Sequence, residues 1–205
     1  LCIALPIGVL SAIRQDTLKD YTARSAAIVG LSVPPFWKAT LVIVLPSIWF
    51  GWAPPLQFTP FSENPWQHLS QFILPAIILG IAPGASIMRL TRALMLEVLR
   101  QDYIRTAWSK GMREPRVVLK HALKNAIIPV ITIVGIQVAE IASGTVIMET
   151  IFGLPGMRRF LVDAIFQRDY TVVQGVILLT STITVVINLL VDLTYAQLDP
   201  RIRYQ

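Results

Sequence analysis

The sequence predicts an all-α membrane protein, and three observations carry that prediction. Of its 205 residues, 54% are apolar and 15% charged, with a mean hydropathy of +0.62. Soluble domains carry about 25% charged residues. The apolar residues also fall into stretches of spanning length, about 17 or more. Finally, Lys and Arg crowd alternate connections between those stretches. Backbone groups in lipid must bond internally, so the stretches should be helices. The ten-residue alternation of an outer-membrane barrel is absent.

The first run, Leu1 to Ile13, ends at Arg14. As a helix it rises roughly 20 Å, short of the roughly 30 Å hydrocarbon core. With no basic region before it, it is a poor signal peptide. We read it as the end of a transmembrane helix that begins upstream. Four complete spans are expected after it: Ala26–Phe50, interrupted by Pro34-Pro35 and Lys38; Phe72–Met88; Ala126–Phe152; and Val172–Leu198.

Orientation follows from the basic residues. Arg14, Lys19 and Arg24 lie between the first two segments, and nine more lie between Arg89 and Lys124. Arg201 and Arg203 close the chain. The other side holds only Arg158, Arg159 and Arg168, and the loop Gly51–Gln71 has no Lys or Arg. The basic-rich side should be cytoplasmic. This accounts for the pI of 9.8 without nucleic acid. Trp49, Trp52 and Trp66 flank the opposite loop, as interfacial aromatics do.

One cysteine, Cys2, excludes an intrachain disulfide, and two histidines with it make a poor zinc site. His68 reads as a solvated loop residue and His121 as a packing or hydrogen-bonding one. No G-x-x-x-x-G-K-[ST] loop is present, so ATP and Mg²⁺, if used, belong to another chain. Ser143 and Ser181 lack a credible base for an intramembrane hydrolase.

The connection Arg89–Asn125 is the long one. Thr91 to Trp108 is rich in helix formers. Gly111 interrupts it, and Glu114-Pro115 starts a second helix with proline where its missing N–H does no harm. Arg116, Lys120 and Lys124 recur every four residues on one face. Such a basic helix–break–helix either lies on anionic lipid or docks in a partner's groove.

At this segment the chain resembles the ABC-importer permeases. Asp102-Tyr103-Ile104-Arg105-Thr106-Ala107-Trp108-Ser109-Lys110-Gly111 is similar to their EAA loop, with Arg105-Thr106-Ala107 at the Glu-Ala-Ala positions and Gly111 at the glycine. His121-Ala122-Leu123-Lys124-Asn125 stands at the closing end. Arg105 replaces the acid and Lys124 the proline, as in the B-type subunit of the dipeptide/oligopeptide/nickel importers. Glu149-Thr150-Ile151-Phe152-Gly153-Leu154-Pro155-Gly156, Arg168–Gly175 and the ending from Asn188 to Tyr204 also match that family.

The resemblance implies a type I ABC-importer permease bundle in a bacterial or archaeal inner membrane, a single permease domain over 1–205. A cytoplasmic coupling loop at 97–125 would involve Arg105, Thr106, Ala107, Gly111, Arg116, Lys120, His121 and Leu123. An extracytoplasmic loop at 152–171 would offer Phe152, Gly153, Pro155 and Gly156 as a scoop toward the binding protein, or cap the bundle as an interfacial helix. The partners implied are a second permease, two cytoplasmic ABC ATPases and an extracytoplasmic binding protein.

Gln137, Glu140, Ser143 and Gly144 share a helical face. They read as substrate path, or as interhelical hydrogen-bond partners. Asn188 and Asp192 invite the same two readings, and Lys38 either snorkels or pairs with Glu140. The competing class is an ATP-independent secondary transporter, which predicts an inverted repeat that the sequence does not display.

Overall fold

Residues 1–55, 57–142 and 145–198 are described in the structure, a computed structural model. Among them all regular structure is helical: α1 (Ala4–Ile13), α2 (Leu18–Ser32), α3 (Pro35–Phe50), α4 (Pro65–Leu99), α5 (Asp102–Ser109), α6 (Glu114–Arg116), a π-helical turn (Val117–Ala122), α7 (Leu123–Ala142), α8 (Val146–Ile151), α9 (Met157–Phe166) and α10 (Tyr170–Leu198).

Three helical stretches are long and apolar enough to cross a membrane: Pro65–Leu99, Glu114–Val138 and Tyr170–Val191. The expected span Ala26–Phe50 is instead two helices. Pro34 is extended, with ψ of 144°, and Pro35 opens α3. A residue before proline is pushed out of the helical region, and neither proline donates an N–H, so the ladder stops there. Counted together, α2 and α3 supply a fourth span. The expected span Ala126–Phe152 also divides. Its helix α7 ends at Ala142, and Thr145 caps a new short helix, its hydroxyl accepting from the Met148 N–H at 3.3 Å.

The chain forms two compact units. The first comprises Leu1–Ser32, Ala82–Gln137 and the described residues from Asn188 on; the second comprises Val33–Ile81 and Val138–Ile187. In the first, Ala12, Met95, Ile104, Ala107, Val117, Val118, Ala122 and Ala126 bury one cluster, and Ala4, Ala27, Ile87, Met88 and Val130 a second. In the second unit, Ala39, Ile78, Met148, Phe152 and Leu154 form the core. Only 6% of the apolar window of α10 is covered by its own chain, against 28% for the other two spans. An apolar helix this bare requires lipid or a neighbouring chain around it.

Candidate functional site: the long connection and the motif Glu149–Gly156

The long connection is not one helix from Thr91 to Trp108, as its composition suggests. The helix breaks at Arg100–Gln101, without proline or glycine, and α5 begins at Asp102. The cause is tertiary. Ile104 and Ala107, one turn apart, insert beside Met95, Val117 and Val118. Burying an isoleucine contributes about 1.5–3 kcal/mol, more than the hydrogen bonds given up at an exposed break.

This packing divides the segment by role. Ala107 is buried in the seat of α5, while Arg105, Thr106, Gly111, Arg116 and Lys120 are exposed and His121 and Leu123 half-buried. Tyr103 and Trp108 add exposed aromatic surface. Among the described residues the Arg105 side chain meets Asp102, at 3.4 Å, with both side chains largely in the open. An exposed pair of this kind holds little energy, so the guanidinium is available to another molecule.

Gly111 closes α5 in the left-handed region, φ +72°. Its N–H donates to Trp108 O at 2.9 Å and the next N–H, of Met112, to Ala107 O at 3.3 Å. This paired closure favours glycine, which has no Cβ to oppose the positive φ. Among the described residues, none would lie within 4 Å of a Cβ on Gly111.

The second helix does begin at Glu114, with Pro115 in its first turn. After three residues it becomes a π-helical turn, Val117–Ala122, which holds Lys120 and His121. The four-residue spacing of Arg116, Lys120 and Lys124 therefore does not describe a single α-helical face. All three are exposed nonetheless. Asn125 Nδ2 then donates to Tyr103 Oη at 2.9 Å, tying the start of α7 to α5.

The motif Glu149–Gly156 is a second compact construction. Gly153, φ +63°, ends α8; its N–H donates to Thr150 O and that of Leu154 to Glu149 O, at 2.8 Å. Phe152 lies in the core, Pro155 is exposed, and Gly156 precedes α9. The carboxylate of Glu149 folds over Gly156 and accepts the Arg159 N–H at 2.7 Å. A free amide of the first turn of α9 is thereby satisfied, with negative charge at the positive end of the helix. A Cβ on Gly156 would overlap this carboxylate. Beyond the cap, Phe160, Ile165 and Phe166 are exposed.

His68 is not a solvated loop residue. It sits in the first turn of α4, its Nδ1 is 2.9 Å from Thr59 O, and Phe58, Phe61 and Phe72 surround its ring at 5.0–5.7 Å. With Phe72, Leu79, Met148 and Glu149 it lines a cavity of about 530 Å³. Its aromatic neighbours lie four to ten residues away along the chain, across a loop whose shape periodicity does not report.

Of the candidate path residues, Gln137 is half-buried and its Oε1 has no hydrogen-bond partner among the described residues. Glu140 and Asn188 are exposed from the chain. Ser143 and Gly144 lie outside the described residues, as does the side chain of Asp192. Sequence reasoning passed over Asp20, which is wholly buried and paired with Arg92. Arg92 had counted only as one of many basic residues.

Comparison with known proteins places the sequence in a family. Residues 4–204 match the family model described as binding-protein-dependent transport system inner membrane component. The chain is 42% identical over 226 residues to the dipeptide transport system permease protein DppB of Escherichia coli K12, covering 99% of this chain and 67% of that protein. It is 42% identical over 206 residues to the oligopeptide transport system permease protein AppB of Bacillus subtilis 168, covering 100% and 65%. A putative peptide transport system permease protein of Brucella abortus 2308 is 44% identical over 202 residues, covering 98% and 64%. The chain thus spans about two thirds of the length of these relatives. With a family match that runs from residue 4 to residue 204, the chain belongs to the family of binding-protein-dependent transport system inner membrane components.

Proposed function

We propose that the chain is a permease subunit of an ATP-driven importer, forming part of the path for peptides or a related small solute. The observation that carries this reading is α5, a short helix seated on buried Ile104 and Ala107 that leaves Tyr103, Arg105 and Trp108 exposed. A rigid seat under an accessible face is what a segment needs in order to take force from another protein. ATP hydrolysis is assigned to partner chains: two cytoplasmic ATPase subunits meeting the segment 97–125. A second permease shares the path, with the bare surface of α10 among those open to it. The exposed outer face of α9 is assigned to an extracytoplasmic binding protein. Peptides as cargo follow the names of the relatives.

Affinity purification of the tagged full-length protein from gently solubilised membranes tests this. Recovery of a second permease and P-loop ATPases is the expected result. Recovery of the chain alone, in a preparation that transports with ions and without ATP, would replace it with secondary transport.

Glu140 is exposed on an apolar helix, where a carboxylate is costly unless it faces a cavity or another chain. Lining of the substrate path accounts for it. Replacing Glu140 with glutamine is expected to lower uptake several-fold while membrane abundance stays near normal. Parallel assays of uptake and abundance check this; equal loss of both assigns Glu140 to helix packing.

A further inference from the structure

Asp20, in the first turn of α2, is 0% exposed and binds two other helices. Its Oδ1 accepts from Arg92 Nε at 2.7 Å and from Ser11 Oγ at 2.5 Å. Its Oδ2 accepts from Arg92 Nη2 at 2.6 Å and from the Asp16 N–H at 3.1 Å. Ser11 belongs to α1 and Arg92 to α4, so one carboxylate ties three helices. Asp16, at φ +59°, shapes the turn that brings α2 back to it.

Stability alone is a poor reason for such a pair. Removing two charges from water offsets most of their attraction, and apolar side chains of similar volume often serve as well. What the forked, two-point contact adds is direction. Close to the pair the helices approach one another closely through small residues. A Cβ on Gly8 would lie 2.8 Å from Met88 O, and Ala4, Ala12 and Ala27 continue the smooth surface. Larger side chains, Leu5, Val9, Met88 and Leu94 among them, pack around this seam, and the forked polar contact adds a fixed register to their apolar, non-directional contacts. Arg92 is also one turn from Met95, against which Ile104 and Ala107 of α5 are buried.

We propose that Asp20 and Arg92 are positioning residues for energy coupling: their pair locks the end of α4 to α1 and α2, so that displacement of α5 moves all three helices together. This rests on α5 being the seat of the ATPase. Without the lock, α4 slips along α1 and α2, and hydrolysis proceeds without opening the path.

The test uses the complete importer, with full-length permeases, ATPases and binding protein, in proteoliposomes. The variants are Asp20→Asn and the apolar double Asp20→Leu with Arg92→Leu. Wild-type complex that retains no ATPase would overturn the function reading itself, before any variant is measured. Given an intact complex, the double variant is expected to assemble and hydrolyse ATP, with substrate taken up per ATP falling about ten-fold. Asp20→Asn keeps only one accepting oxygen and sets an amide donor against the donors on the other, so it breaks the two-point fork and should lower the ratio as well. An unchanged uptake-to-hydrolysis ratio in the double variant overturns the proposal. So does loss of assembly in both variants, which would make the pair a folding element only.

Discussion

Replacing Gly111 with glutamate is expected to leave the chain in the membrane at near-normal abundance while cutting uptake about ten-fold or more. Two effects combine. At φ +72° a side chain costs about 1–2 kcal/mol, enough to loosen the closure of α5 but not to unfold a permease. The larger effect is outside the chain, because the described residues leave the space around Gly111 open and the partner would fill it under the proposed docking. Gly111→Asn separates the two. Asparagine tolerates the left-handed region, so it keeps the turn while adding bulk. Uptake restored by asparagine means that the turn matters; uptake still lost means that the partner's backbone comes close. Uptake unchanged in the glutamate variant would remove Gly111 from the docking surface.

The helical class, the apolar stretches Phe72–Met88 and Val172–Leu198 and the turn at Gly111 were legible because they depend on local properties. Hydropathy marks a helix that lipid must surround, and a glycine needing positive φ marks the end of α5. Several of the failures involve contacts between distant residues. Nothing local breaks the helix at Arg100–Gln101; the break follows from Ile104 and Ala107 reaching Met95. The π-helical turn hides behind a four-residue spacing of basic residues that suits an α-helix equally well. Asp20 and Arg92 are 72 positions apart, and each resembles its charged neighbours until the fold sets them together. The motif Glu149–Gly156 is intermediate. It was recognised by resemblance, yet neither composition nor periodicity relates its first residue to its last.

That relation makes a second prediction, with a larger effect on stability. Gly156→Ala is expected to destabilise the detergent-solubilised protein by about 2–4 kcal/mol, seen as a lowered Tm and earlier proteolysis between α8 and α9. The new methyl group would occupy the position of the Glu149 carboxylate, forcing it away from the Arg159 N–H. The cost therefore has two parts, overpacking and loss of the helix cap. Glu149→Ala removes the cap alone and should cost about 0.5–2 kcal/mol. In that background the methyl group has room, so adding Gly156→Ala should cost well under 1 kcal/mol more. Strong non-additivity is thus the signature of the contact. Two penalties that simply sum would show that Gly156 and Glu149 act separately, and that the turn, rather than the carboxylate, is what the glycine serves.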